Sequence, residues 1–206
     1  MRSIIQQKLT LFTAVLIIAS VAIAATFVAA GDDQKEHRVA AEHAARSFMT
    51  QLQGVLMKEL REGGPVQALS VCADTAQILT HNAATDLGVS IKRVSSRIRN
   101  TENAPDAFER HILDLFSGMH EEGSEPPFIH TEERTVNGQR EFWFMQSIHV
   151  QPQCLGCHGS GDQIASNVKT MLNERYPEDE ALGYKPGDFR GAIRVSFPLQ
   201  NNNGRN

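Results

Sequence analysis

The chain has 206 residues, 41% of them hydrophobic, and a formal net charge of −4, enough for one domain of moderate size with a leading segment. With Arg2 and Lys8 in that leading segment, residues 31–206 carry 18 basic against 24 acidic side chains, which argues against nucleic acid as a partner. Three cysteines, Cys72, Cys154 and Cys157, are too few and too odd in number for a disulfide framework.

The stretch from Leu9 to Ala30 has no charged residue and is dominated by Leu, Ile, Val, Ala and Phe. Its length falls between a signal core of about 7–15 residues and a bilayer span of about 20. Residues 1–30 are therefore expected to be a signal peptide or an N-terminal membrane anchor. Length favours the anchor, while Ala22-Ile23-Ala24 and Val28-Ala29-Ala30 offer small residues for cleavage. Arg2 and Lys8 precede the apolar run and Asp32 and Asp33 follow it, an asymmetry that keeps the N-terminus in the cytoplasm. The remainder is expected outside it, in the periplasm, either exported or anchored to the inner membrane.

Residues 31–199 are expected to form one domain. Ala41, Ala45, Phe48, Leu52, Val55 and Leu56 recur at helical spacing up to Gly63-Gly64. Pro65 suits the first turn of a second helix, on which Leu69, Cys72, Ala76, Leu79 and Ala83 share a buried face. A short strand at Val89–Val94 and a third helix with Phe108, Ile112, Leu115, Phe116 and Met119 follow. Asn137-Gly138 between two extended runs, residues 128–136 and 139–150, predicts a hairpin. In its second strand Phe142, Phe144, Ile148 and Val150 should face one way and Trp143, Met145, Ser147 and His149 the other. A short helix near 164–176 and a closing strand with Ile193, Val195, Phe197 and Leu199 on one face complete the domain, and residues 200–206 are expected to be a disordered tail. The fold class is α+β, with leading helices and an antiparallel sheet whose hairpin delivers the cysteines to one edge.

Cys154-Leu155-Gly156-Cys157-His158 carries the chemistry. Two thiols at this spacing add across the vinyl groups of one haem, and the adjacent imidazole reaches the iron. Zinc would require further ligands, usually from a second paired motif. A redox Cys-X-X-Cys would normally open a helix, whereas Gly159, Ser160 and Gly161 follow here. The motif therefore predicts one covalently attached haem c, bound through Cys154 and Cys157 with His158 on the iron. The second axial ligand stays open on pattern alone, among seven other histidines, five internal methionines and Cys72. Arg97 and Arg99 are candidates to pair with haem propionates through bidentate hydrogen bonds, with a solvated loop as the alternative.

Several ordered segments carry a family resemblance: residues 94–100, Asn103-Ala104-Pro105-Asp106, the Cys-X-X-Cys-His run, Tyr176-Pro177, residues 183–188 and Arg190-Gly191-Ala192. Together the chain resembles a family of bacterial PAS-like single-haem c-type cytochrome domains, formerly catalogued as a domain of unknown function. Thr101 departs from the proline usual in that pattern, which touches loop geometry. The resemblance implies a PAS-like fold and iron held by His158 and by the thiolate of Cys72. Six-coordinate haem leaves no site for a substrate, so redox sensing or electron transfer is expected rather than enzyme activity. The alternative is a gas-binding sensor or haem enzyme from which the Cys72 ligand dissociates. No kinase or cyclase pattern precedes Asn206, so a signal is expected to leave through the anchor or through an unidentified redox or signalling partner.

Overall fold

The computed structural model describes residues 2–71 and 76–199, with side chains from residue 33 onward. Cys72 and the expected tail at 200–206 lie outside the described residues, as do the side chains of the expected leader. The chain forms two compact units, Met1–Ala40 and Ala41–Asn206. Residues 2–40 are helical. Among the described residues no helix is long and apolar enough to cross a membrane.

The second unit takes up α1 (Arg2–Ser70) from residue 41. Gly64 breaks that helix with a backbone at φ 73°, ψ −173°, and Pro65 follows, at the point where the sequence places the boundary between two helices. Next come α2 (Ala76–Leu87), β1 (Ser90–Val94), α3 (Ala107–Glu121), β2 (Ile129–Val136), β3 (Gln139–His149), the one-turn α4 (Leu155–His158), α5 (Ser166–Arg175) and β4 (Phe189–Pro198). Asn137 at φ 50° and Gly138 at φ 82° make the tight β2–β3 turn, a conformation matching the strands' own twist.

The four strands form one antiparallel sheet in the order β1-β4-β3-β2. The closing strand thus lies inside the sheet. β3 is also interior, so the expectation that the hairpin brings the cysteines to a sheet edge is corrected: they leave from the end of a central strand, through a 3-10 turn at Pro152–Cys154.

Both sheet faces are covered, and the alternation of β3 decides which residue meets which layer. Phe142, Phe144, Ile193 and Val195 pack against Ala41, Ala45, Phe48 and Leu52 of α1 and Ala76 and Ala83 of α2. On the other face Met145, Val94 and Ala192 meet Ile112, Leu113 and Phe116 of α3. Each large side chain buried here contributes about 1.5–3 kcal/mol. Val150 departs from the expected alternation and joins Ala181 and Tyr184 instead. The strand register shifts at Ile148/His149, and β3 ends there.

A capping box starts α3: Asp106 accepts from the Glu109 backbone N–H at 2.7 Å, and the Glu109 carboxylate accepts from the Asp106 N–H at 2.9 Å. The same carboxylate, 1% exposed, takes Lys92 Nζ at 2.8 Å and Arg194 Nε at 3.2 Å. A buried charge is stable only when so compensated, and this one ties α3 to β1 and β4.

Candidate functional site

Cys154, Cys157 and His158 lie together at α4, half-buried. Cys154 packs toward Val150, Ala181 and Tyr184, whereas Cys157 joins Leu69, Ile164, Val168 and Leu172. Leu69 stands three places before Cys72 in the chain. Cys154 and His158 line one cavity, whose apolar wall includes Met49, Leu52 and Leu56 of α1 with Ile148 and Val150.

The His158 ring is held from two sides. Its Nδ1 lies 2.8 Å from the Ala181 carbonyl oxygen, and Tyr184 packs edge-on with ring centroids 6.3 Å apart. A carbonyl can only accept, so Nδ1 carries the proton and Nε2 keeps a lone pair. Burial, reinforced by the positive charges of Arg99, Arg190 and Arg97, pushes the His158 pKa down to about 3. The imidazole is therefore neutral at physiological pH, the form that binds a metal.

The segment from Tyr176 to Asp188 supplies that carbonyl, and backbone bonds stitch it to the motif. Tyr184 N–H donates to the His158 carbonyl at 2.9 Å and Gly183 N–H to that of Gly159 at 2.8 Å. Gly187 N–H donates to Val150 and Val150 N–H to Asp188, at 2.8 and 2.9 Å. Positive φ at Gly183 and Gly187, 74° and 89°, lets the chain reverse twice in this short span.

Arg99 locks this segment to the cysteines. Its guanidinium forms an ion pair with Asp179 at 2.9 Å and donates to the carbonyls of Cys157 at 2.6 Å and Ala181 at 3.2 Å. The side chains of Arg99 and Asp179 are each only 7% exposed. Arg97 donates to the carbonyls of Glu180 and Leu182 and lies over the Tyr184 ring at 4.2 Å. Both predicted arginines thus sit beside His158, with their guanidinium groups engaged by loop carbonyls or Asp179.

Among the histidines open as a second ligand, His149 also lines the cavity, but both its ring nitrogens are engaged. Nδ1 meets the Gly187 carbonyl at 3.1 Å and Nε2 meets Ser147 Oγ at 3.0 Å. His130 pairs with Glu132 at 3.3 Å. Of the methionines, Met49 lines the cavity, while Met145 is sealed against α3.

Sequence reasoning did not single out Asp179, Ala181, Tyr184 or Arg190 as site residues. Tyr184 and Arg190 stood inside motifs of the resemblance, and this was the signal available for them. For the Ala181 carbonyl there was none, because any residue has one.

A family model described as Tll0287-like matches residues 33–198. Among solved structures the chain is similar to the cyanobacterial heme-protein Tll0287, with 22% identity and a TM-score of 0.57 over 82% of this chain and 98% of that one. No curated protein matches. The structural likeness bears out the expected α+β, PAS-like architecture.

Proposed function

The chain belongs to the Tll0287-like family, and on that premise we propose that it is a periplasmic c-type haem protein that carries or senses electrons rather than transforming a substrate. The observation supporting this most directly is the state of His158, neutral, with Nδ1 committed to Ala181 and Nε2 left for a metal, beside Cys154 and Cys157. The residues fit the group. Two thiols spaced one helical turn apart suit the two vinyl positions of a haem, and the wall of Met49, Leu52, Leu56, Ile148 and Val150 suits a flat apolar ring.

A bound haem would supply one-electron redox chemistry. The chain's own residues do the rest. The Ala181 carbonyl fixes tautomer and ring orientation of His158, raising its basicity as a ligand. The apolar wall would cover part of the bound ring. Cys72 is the proposed second residue to hold the iron, on the strength of the resemblance, and its anionic thiolate would stabilise the ferric state and lower the potential. With His158 and Cys72 both holding the iron, no position would remain for a substrate. The charge asymmetry around residues 9–30 supports export, either cleaved or anchored to the inner membrane, and the partner would be a redox or signalling protein met there.

The test is haem stain on a denaturing gel after expression with the export and attachment machinery. Wild type should stain and Cys154→Ala/Cys157→Ala should not; persistent stain in the double variant would overturn covalent attachment. Cys72→Ala should keep the stain but change the ferric EPR spectrum. Carbon monoxide binding by the reduced wild type would favour a gas-binding role over electron transfer.

A further inference from the structure

We propose that Arg190 is the residue that holds a propionate carboxylate of the haem. This rests on the haem reading above and adds to it a specific anion-binding residue. The β3–β4 register pairs Ile148 with Gly191 and then His149 with Phe189, which leaves Arg190 as the extra residue of a bulge. Bulges re-aim a side chain. Here Arg190 lines the same cavity as Cys154 and His158.

The groups that its guanidinium bonds are neutral, although the charges of Asp179, Arg99 and Arg93 act on it from farther away. Nη1 donates to Ser95 Oγ at 2.5 Å and to the Arg97 carbonyl at 3.1 Å, and the guanidinium carbon lies 5.4 Å from the Tyr184 ring centroid. Arg99 is paired with Asp179 and Arg194 with Glu109, but among the described residues no carboxylate forms an ion pair with Arg190. Desolvation pushes its pKa below the ordinary arginine value. A partly desolvated cation with no carboxylate in direct contact is unfavourable, and a carboxylate brought by a ligand offsets that cost through charge-assisted hydrogen bonds. The backbone also serves this placement. Gly191 sits at φ 150°, where a Cβ would come within 2.3 Å of the Val94 carbonyl, so only glycine lets β4 bulge against β1 here.

The test compares Arg190→Gln, Arg190→Lys and Arg97→Gln with wild type, using haem stain, the propionate bending bands of the resonance Raman spectrum and potentiometric titration. Arg190→Gln should stain as wild type, shift a propionate band and lower the reduction potential, because a positive charge near the iron is lost. Arg190→Lys should restore part of both changes, and Arg97→Gln should leave the band in place. A stained Arg190→Gln protein with unshifted band and potential would overturn the assignment while leaving the haem reading intact. Absence of stain in wild type would instead overturn that reading. Should Arg190→Gln not accumulate with haem, Arg190→Lys decides, since an unshifted band there also overturns the proposal.

Discussion

Arg99→Ala removes one half of an ion pair whose side chains are each 7% exposed, and it strands the Asp179 carboxylate. Breaking a buried pair from one side costs about 3–5 kcal/mol. The Cys157 and Ala181 carbonyls lose a charged donor as well, although Ala181 keeps His158. A loss of about 4 kcal/mol is therefore expected, equivalent in a domain of this size to a fall in Tm of roughly 8–16 °C. Urea unfolding followed by far-UV circular dichroism measures it. Asp179→Asn should lose a comparable amount. The double variant Arg99→Met/Asp179→Leu should regain much of the loss, because neither charge is then left unpaired. A loss below about 1 kcal/mol in Arg99→Ala, or single effects that simply add in the double variant, would refute the ion pair as the clamp between the attachment motif and the segment from Tyr176 to Asp188.

Gly191→Ala should destabilise by about 2–4 kcal/mol, because a Cβ there meets the Val94 carbonyl at 2.3 Å as well as an unfavourable φ. Gly187→Ala, with open space around its Cβ position, should lose only about 1 kcal/mol, and equal losses at the two sites in urea titrations would contradict the close approach of β1 and β4. The pH dependence of the haem-free Cys154→Ala/Cys157→Ala protein follows from His158. Its folded pKa of about 3 lies below the ordinary 6.5, so the unfolded chain protonates first and stability falls as pH drops from 6.5 toward 3. Between pH 7 and pH 5 this histidine should remove about 2 kcal/mol. Adding His158→Gln should flatten the curve by that amount, and parallel curves with and without the substitution would show that His158 is not held neutral.

Local features are legible in the sequence where the signal lies within a few residues. Gly63-Gly64-Pro65 marks the break in α1 and Asn137-Gly138 turns the hairpin, because each acts through backbone conformation close by in the chain. The alternation in β3 likewise assigns Phe142 and Phe144 to one layer and Met145 to the other. The Cys154-Leu155-Gly156-Cys157-His158 run identifies the proposed attachment chemistry from residue type and spacing alone. Tertiary structure alone decides what surrounds it. The insertion of β4 between β1 and β3 depends on pairing residues far apart in the chain, such as Ser196 with both Ser90 and Trp143, for which no local pattern exists. That pairing sets the bulge at Arg190, and the return of the Tyr176–Asp188 segment brings the Ala181 carbonyl to His158 and Asp179 to Arg99. A side chain's partners follow from which distant backbone approaches it, so Arg99, which the sequence offers as a propionate partner, becomes in the fold a clamp paired with Asp179, while Arg190 lines the cavity with no carboxylate in direct contact.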